Sequence, residues 1–101
     1  MNFSISKKNF SSNLLGSSVF IFNGIKIYYK ESNQNKIGFI VSRAFGSAVK
    51  RNLFKRRCRY FFINKNSNYS KKLSVIVRPI DSNHFSFDVI ENSFNKLFKK
   101  L

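Results

Sequence analysis

The sequence predicts a small α+β domain. Three observations predict it. Residues 19–22 and 25–30 are rich in β-branched and aromatic side chains and meet at Asn23-Gly24. Leu73, Val75 and Val77 alternate as a strand does, and residues 47–63 and 87–100 are free of Pro and Gly with helical patterning. A length of 101 residues suits one domain spanning 1–101, and 13 Phe and 4 Tyr within a 43% hydrophobic composition supply a core.

In chain order, residues 10–15 are a short helix candidate ending at Gly16. Residues 19–22 and 25–30 follow as extended segments. Asn23-Gly24 between them signals a type I′ hairpin, or equally a bulge in one long bent strand. Residues 31–36 form a polar turn and residues 37–42 a short apolar strand. Residues 47–63 are the middle helix, and residues 64–72 a polar loop. Residues 73–78 are a strand closed by Pro79. In the last helix Phe87, Ile90, Phe94, Leu97 and Leu101 recur at helical spacing, giving one buried face. Ser86 can cap it, Asp88 suits its positive end, and Lys96, Lys99 and Lys100 suit its negative end. The order is α-β-(β)-β-α-β-α, the bracketed strand depending on whether Asn23-Gly24 is a hairpin or a bulge, which makes a small α+β or split β-α-β domain.

Nineteen basic against four acidic residues give a net charge of +15, which needs an anionic partner or must tolerate self-repulsion. A nucleic acid is the leading candidate and an anionic membrane the next. Residues 37–62 carry seven basic residues and no acid, so the binding surface centres there. A single cysteine, Cys58, excludes an intrachain disulfide and a multi-cysteine zinc site. No apolar run approaches the ~20 residues of a membrane-spanning helix. Residues 1–10 include Lys7 and Lys8, but a polar stretch follows where a signal peptide needs an apolar one, so the expected address is the cytoplasm.

On a wheel of about 100° per residue, Arg51, Asn52, Lys55 and Arg59 share one arc of the middle helix and Arg56 flanks it. Val49, Leu53 and Tyr60 form one apolar stripe, Phe54, Cys58 and Phe61 another, so one face projects cations and the rest can pack on a sheet. Arg grips phosphate oxygens bidentately, and Asn can bond a base edge or a 2′-OH. A merely solvated charged face is the alternative, but a helix without acids has no internal salt bridges to explain it.

Residues 38–59, GFIVSRAFGSAVKRNLFKRRCR, resemble the signature of the bacterial ribonuclease P protein subunit, G-x-x-V-S-[KR]-[KR]-x-G-x-A-V-x-R-N-R-x-K-R-x-x-R. Gly38, Val41, Ser42, Arg43, Gly46, Ala48, Val49, Arg51, Asn52, Lys55, Arg56 and Arg59 match at the right spacing. Val77-Arg78-Pro79 and the end of the last helix continue the match, and Phe10 and Gly16 fit more loosely. Leu53 departs from the last Arg of R-N-R, Ala44 from the second basic residue after V-S, and Leu14 from a position where the family tends to have Phe. The resemblance implies a four-stranded mixed sheet with a left-handed β-α-β crossover, a ribosomal-protein-like arrangement in which the usual right-handed rule fails.

It also implies function. The chain would be the protein subunit of an endoribonuclease that matures the 5′ end of tRNA. The R-N-R helix (Arg51, Asn52, Lys55, Arg56, Arg59) would bind the catalytic RNA, and a cleft on the sheet would bind the single-stranded 5′ leader of precursor tRNA. Phe10, Tyr28 and Arg43 match leader-contacting positions, with Tyr29 an alternative to Tyr28. The RNA subunit, holding most of the Mg²⁺, would perform the hydrolysis. No membrane and no stable protein partner are expected.

The residues themselves offer little for catalysis by the chain alone. Glu31, Asp81, Asp88, Glu91 and His84 are the only carboxylates and imidazole. Asp81, His84, Asp88 and Glu91 are spaced as a metal site could be, or Asp88 and Glu91 simply complement a helix N-terminus. Cys58 has cationic neighbours but no base, and reads as core. A ribosomal or other structural RNA-binding protein shares the size and charge, and the basic signature separates the two. A membrane-active cationic peptide needs one broad apolar face, and the wheel gives two stripes.

Overall fold

A computed structural model describes Ile5, residues 14–80 and residues 86–101. Four strands, β1 (Ser18–Phe22), β2 (Ile25–Glu31), β3 (Lys36–Phe39) and β4 (Leu73–Pro79), form one sheet in the order β1-β2-β4-β3. β1–β2 and β2–β4 are antiparallel, while β3 and β4 are parallel. Helix α1 (Ala48–Asn66) connects β3 to β4, and α2 (Phe87–Lys100) follows β4. This is the four-stranded mixed α+β architecture that the resemblance implied. The helix expected over residues 10–15 lies outside the described residues apart from its end, where Leu14 is helical and Gly16 takes φ 76°.

The Asn23-Gly24 alternative resolves as a hairpin. Both residues have positive φ, 51° and 78°, and Phe22 opposes Ile25 across the turn. β3 is shorter than expected: after Phe39 the Ile40 amide still bonds the Val77 carbonyl at 3.0 Å, but the chain then turns into a 3-10 segment, Arg43–Phe45. Conversely, α1 runs three residues beyond Ile63, into the expected loop. The polar run 64–66 stays helical because tertiary contacts hold its end. Asn66 is buried with its amide toward the Lys71 carbonyl at 3.5 Å, and Tyr69 meets Phe98 edge-on at 5.6 Å.

Alternation along the strands divides the sheet into two faces. Ile25, Ile27, Ile37, Leu73, Val75 and Val77 point to the helices and bury against Phe54, Cys58, Phe61 and Phe62 of α1 and Ile90, Phe94 and Leu97 of α2. Ser86 caps α2 through the Val89 amide, with Asp88 in the first turn and Lys99 and Lys100 in the last. α2 lies against β1, and Lys96 and Lys100 extend over the rings of Phe22 and Phe20 at 5.5 and 5.8 Å. At the opposite edge the Ile5 amide bonds the Ile37 carbonyl at 3.1 Å. Among the described residues, no helix is long and apolar enough to cross a membrane.

Candidate RNA interface

The basic helix begins at a built corner. Gly46 ends the 3-10 segment at φ 155°, a backbone that side chains rarely adopt, and a Cβ there would meet the Lys50 chain at 2.9 Å. Ser47 then caps α1, its hydroxyl accepting from the Lys50 amide at 3.3 Å. The first turn carries no acid. Instead Lys50 and Arg51 add positive charge where the helix dipole is already positive, which disfavours the isolated helix and suits an anion.

Arg51, Lys55 and Arg59 run one turn apart along the flank of the buried stripe. Arg51 is half-buried and donates from Nη1 to the Gly46 carbonyl at 2.8 Å, which fixes its guanidinium while its other N–H groups remain available. Lys55 is half-buried, and Arg59 is exposed with its guanidinium over the Phe39 ring at 5.1 Å. Asn52 and Arg56 are exposed beside them. The structure therefore brings all five residues to one side of one helix, as their spacing predicts.

The stripe expected from Val49, Leu53 and Tyr60 does not pack on the sheet. Val49 is 77% exposed and Tyr60 55%, because the sheet takes only the side of α1 that carries Phe54, Cys58, Phe61 and Phe62. Leu53 is half-buried at the border. Leu53→Arg is accordingly expected to fold with a modest loss of stability, since an Arg head reaches water from such a site, and to tighten RNA binding. A loss above about 3 kcal/mol by urea denaturation, as a fully buried Leu gives, would place Leu53 in the core.

The other face of the sheet carries Tyr28. Tyr29 points the opposite way and packs against the core, so the register separates the two tyrosines. Lys26 stands over the Tyr28 ring at 5.1 Å and faces Arg78 across the β2–β4 pair. A hydrogen bond with Lys26 at the phenol holds the Tyr28 pKa below its usual value; desolvation opposes it, and Arg78 adds a smaller lowering effect. Lys26 and Arg78 were not anticipated at this site. The signal was there in alternation, since Lys26 sits two residues from Tyr28 and thus on the same face. Arg43 is exposed in the 3-10 segment, which leaves the sheet from the end where Lys26 and Arg78 pair. Phe10 lies outside the described residues.

Cys58 is fully buried, and desolvation pushes its thiol well up despite Arg59 nearby, so it is core rather than a nucleophile. Among the described residues no group of three or more His, Cys, Asp or Glu could hold a metal ion. Asp81 and His84 lie outside those residues. The donors that are described therefore do not fit a metal held by the protein.

A family model described as Ribonuclease P matches residues 5–101. The chain is 33% identical over 104 residues to the ribonuclease P protein component of Acholeplasma laidlawii, covering 97% of this chain and 88% of that protein. It is 32% identical over 91 residues to that of Phytoplasma australiense, covering 85% and 74%. Among solved structures, the RNase P protein of Thermotoga maritima, in complex with 1-(4-fluorophenyl)-2-thiourea, superposes with a TM-score of 0.81 at 20% identity, covering 94% of this chain and 95% of that one. The RNase P protein of Staphylococcus aureus gives 0.81 at 20% identity, covering 99% and 95%. At such identities the structures share the fold. The match to the family model, nearly the whole chain long, and relatives a third identical carry the conclusion further: this chain belongs to the ribonuclease P protein family.

Proposed function

We propose that this chain binds the RNA subunit of ribonuclease P through α1 and the 5′ leader of precursor tRNA through the sheet face that carries Tyr28, and so promotes 5′ maturation of tRNA. The observation that carries the reading is the row Arg51, Lys55 and Arg59, with Asn52 and Arg56, on a helix whose first turn has no acid. Cations at that spacing match successive phosphates, and binding that neutralises phosphates releases counterions. The hydrolysis itself belongs to the RNA with its Mg²⁺. This chain contributes affinity and orientation.

Tyr28 offers a ring on which an unpaired base can stack, with Lys26 and Arg78 beside it for the backbone. Arg43 and Phe10 complete the leader site in this reading.

The test is 5′ cleavage of a precursor tRNA by the cognate RNA at low Mg²⁺, with and without the chain. Stimulation is expected, and its absence would defeat the proposal. Tyr28→Ala should weaken holoenzyme affinity by about 1–3 kcal/mol for tRNA with a leader and leave mature tRNA nearly unchanged. Equal weakening of both would remove Tyr28 from the leader site.

A further inference from the structure

Beside the cation row, where the start of α2 meets α1, two exposed rings have no role in either surface. Both are packed on another ring. Tyr60 is 55% exposed, and Phe87, the first residue of α2, is 45% exposed. Their ring centroids lie 6.2 Å apart. Buried Phe61 supports both, edge-on to Tyr60 at 5.1 Å and against Phe87 at 4.7 Å. The Arg57 guanidinium lies over Phe87 at 5.8 Å, and Arg56 is exposed one turn before Tyr60. Asp88 and Glu91, both on α2, are the acids nearest Phe87 in sequence among the described residues.

Leaving two aromatic rings in water forgoes the hydrophobic gain of burying them. Rings fixed from beneath and bordered by guanidinium groups are the arrangement on which unpaired bases stack. We propose that Tyr60 and Phe87, with Arg56 and Arg57, form a stacking platform for an unpaired base of the ribonuclease P RNA. This rests on the reading that α1 docks on that RNA. Arg56 joins the two surfaces, since it flanks the row of Arg51, Lys55 and Arg59 and also precedes Tyr60 by one turn. The leader is not the occupant, because Tyr28 lies across the sheet from α1. A second copy of the chain is disfavoured, because it would bring Arg56 and Arg57 against further cations of a chain charged +15.

The experiment is equilibrium binding of the full chain to its cognate RNA subunit across a salt series, with Arg51→Ala as reference. Tyr60→Ala is expected to lose about tenfold in affinity, within the range of stacked bases, with an unchanged salt slope because no charge is removed. Tyr60→Phe should retain affinity and Tyr60→Leu should not. The chain has no tryptophan, so Tyr60→Trp creates a sole tryptophan, and its emission, excited at about 295 nm where tyrosine no longer absorbs, should be quenched when the RNA subunit binds.

Wild-type affinity in Tyr60→Ala alongside weakened Arg51→Ala would overturn the platform and leave the helix reading standing. Restoration by Tyr60→Leu would overturn stacking. So would a self-association, seen by sedimentation, that Tyr60→Ala abolishes. If the unaltered chain fails to bind the RNA, the reading of α1 falls first and the platform falls with it.

Discussion

Phe62→Ala is expected to lower the unfolding free energy by about 3–5 kcal/mol, as truncation of a buried phenylalanine does. Total stabilities of small domains are only about 5–15 kcal/mol, so this change alone brings the chain close to unfolding. Phe62 is fully buried on α1 within the cluster that joins both helices to β2, β3 and β4, so its truncation leaves a cavity in the core. Urea denaturation should show a lower midpoint with an unchanged slope. A loss below about 1 kcal/mol, the scale of exposed positions, would contradict this packing.

The second large effect concerns binding. The double variant Arg51→Ala/Arg59→Ala removes two guanidinium groups from the row on α1, each with about 1–3 kcal/mol of charge-assisted bonding. Affinity for the RNA subunit should fall by roughly one and a half to four orders of magnitude, and the salt slope should flatten by about two contacts. Arg51 also holds the Gly46 carbonyl at 2.8 Å, so the melting temperature is measured in parallel. Unchanged affinity in a folded double variant, or binding insensitive to salt, would remove α1 from the interface.

The cation row was legible in the sequence because helical periodicity alone sets it. Any helix through residues 51–59 brings Arg51, Lys55 and Arg59 to one side. The hairpin was legible for a similar reason, since Asn-Gly adopts the positive φ that a type I′ turn needs. What periodicity cannot say is which side of a helix the rest of the chain covers. Two apolar stripes were visible on α1, and only the sheet's position shows that Phe54, Cys58 and Phe61 are inside while Val49 and Tyr60 are out. Tyr28 and Tyr29 posed the same question on a strand. Alternation sends them apart, and the pairing with β4 tells which faces the helices. The end of α1 was misplaced because its asparagines favour loops in isolation, whereas Asn66 is buried with its side-chain amide donating toward the Lys71 carbonyl.

The lysines of α2 that lie over β1 have a wider consequence. β1 is an edge strand, and Val19, Phe20, Ile21 and Phe22 would make it a template for pairing with another chain. Lys96 and Lys100 overhang its rings, so any strand approaching that edge meets fixed positive charge. Under the proposed function, the field that would draw RNA also keeps copies of the chain apart. Salt screens both effects together. Conditions that would release the RNA are then those under which the free protein is most prone to aggregate, so solubility and RNA occupancy would be coupled through one charge distribution.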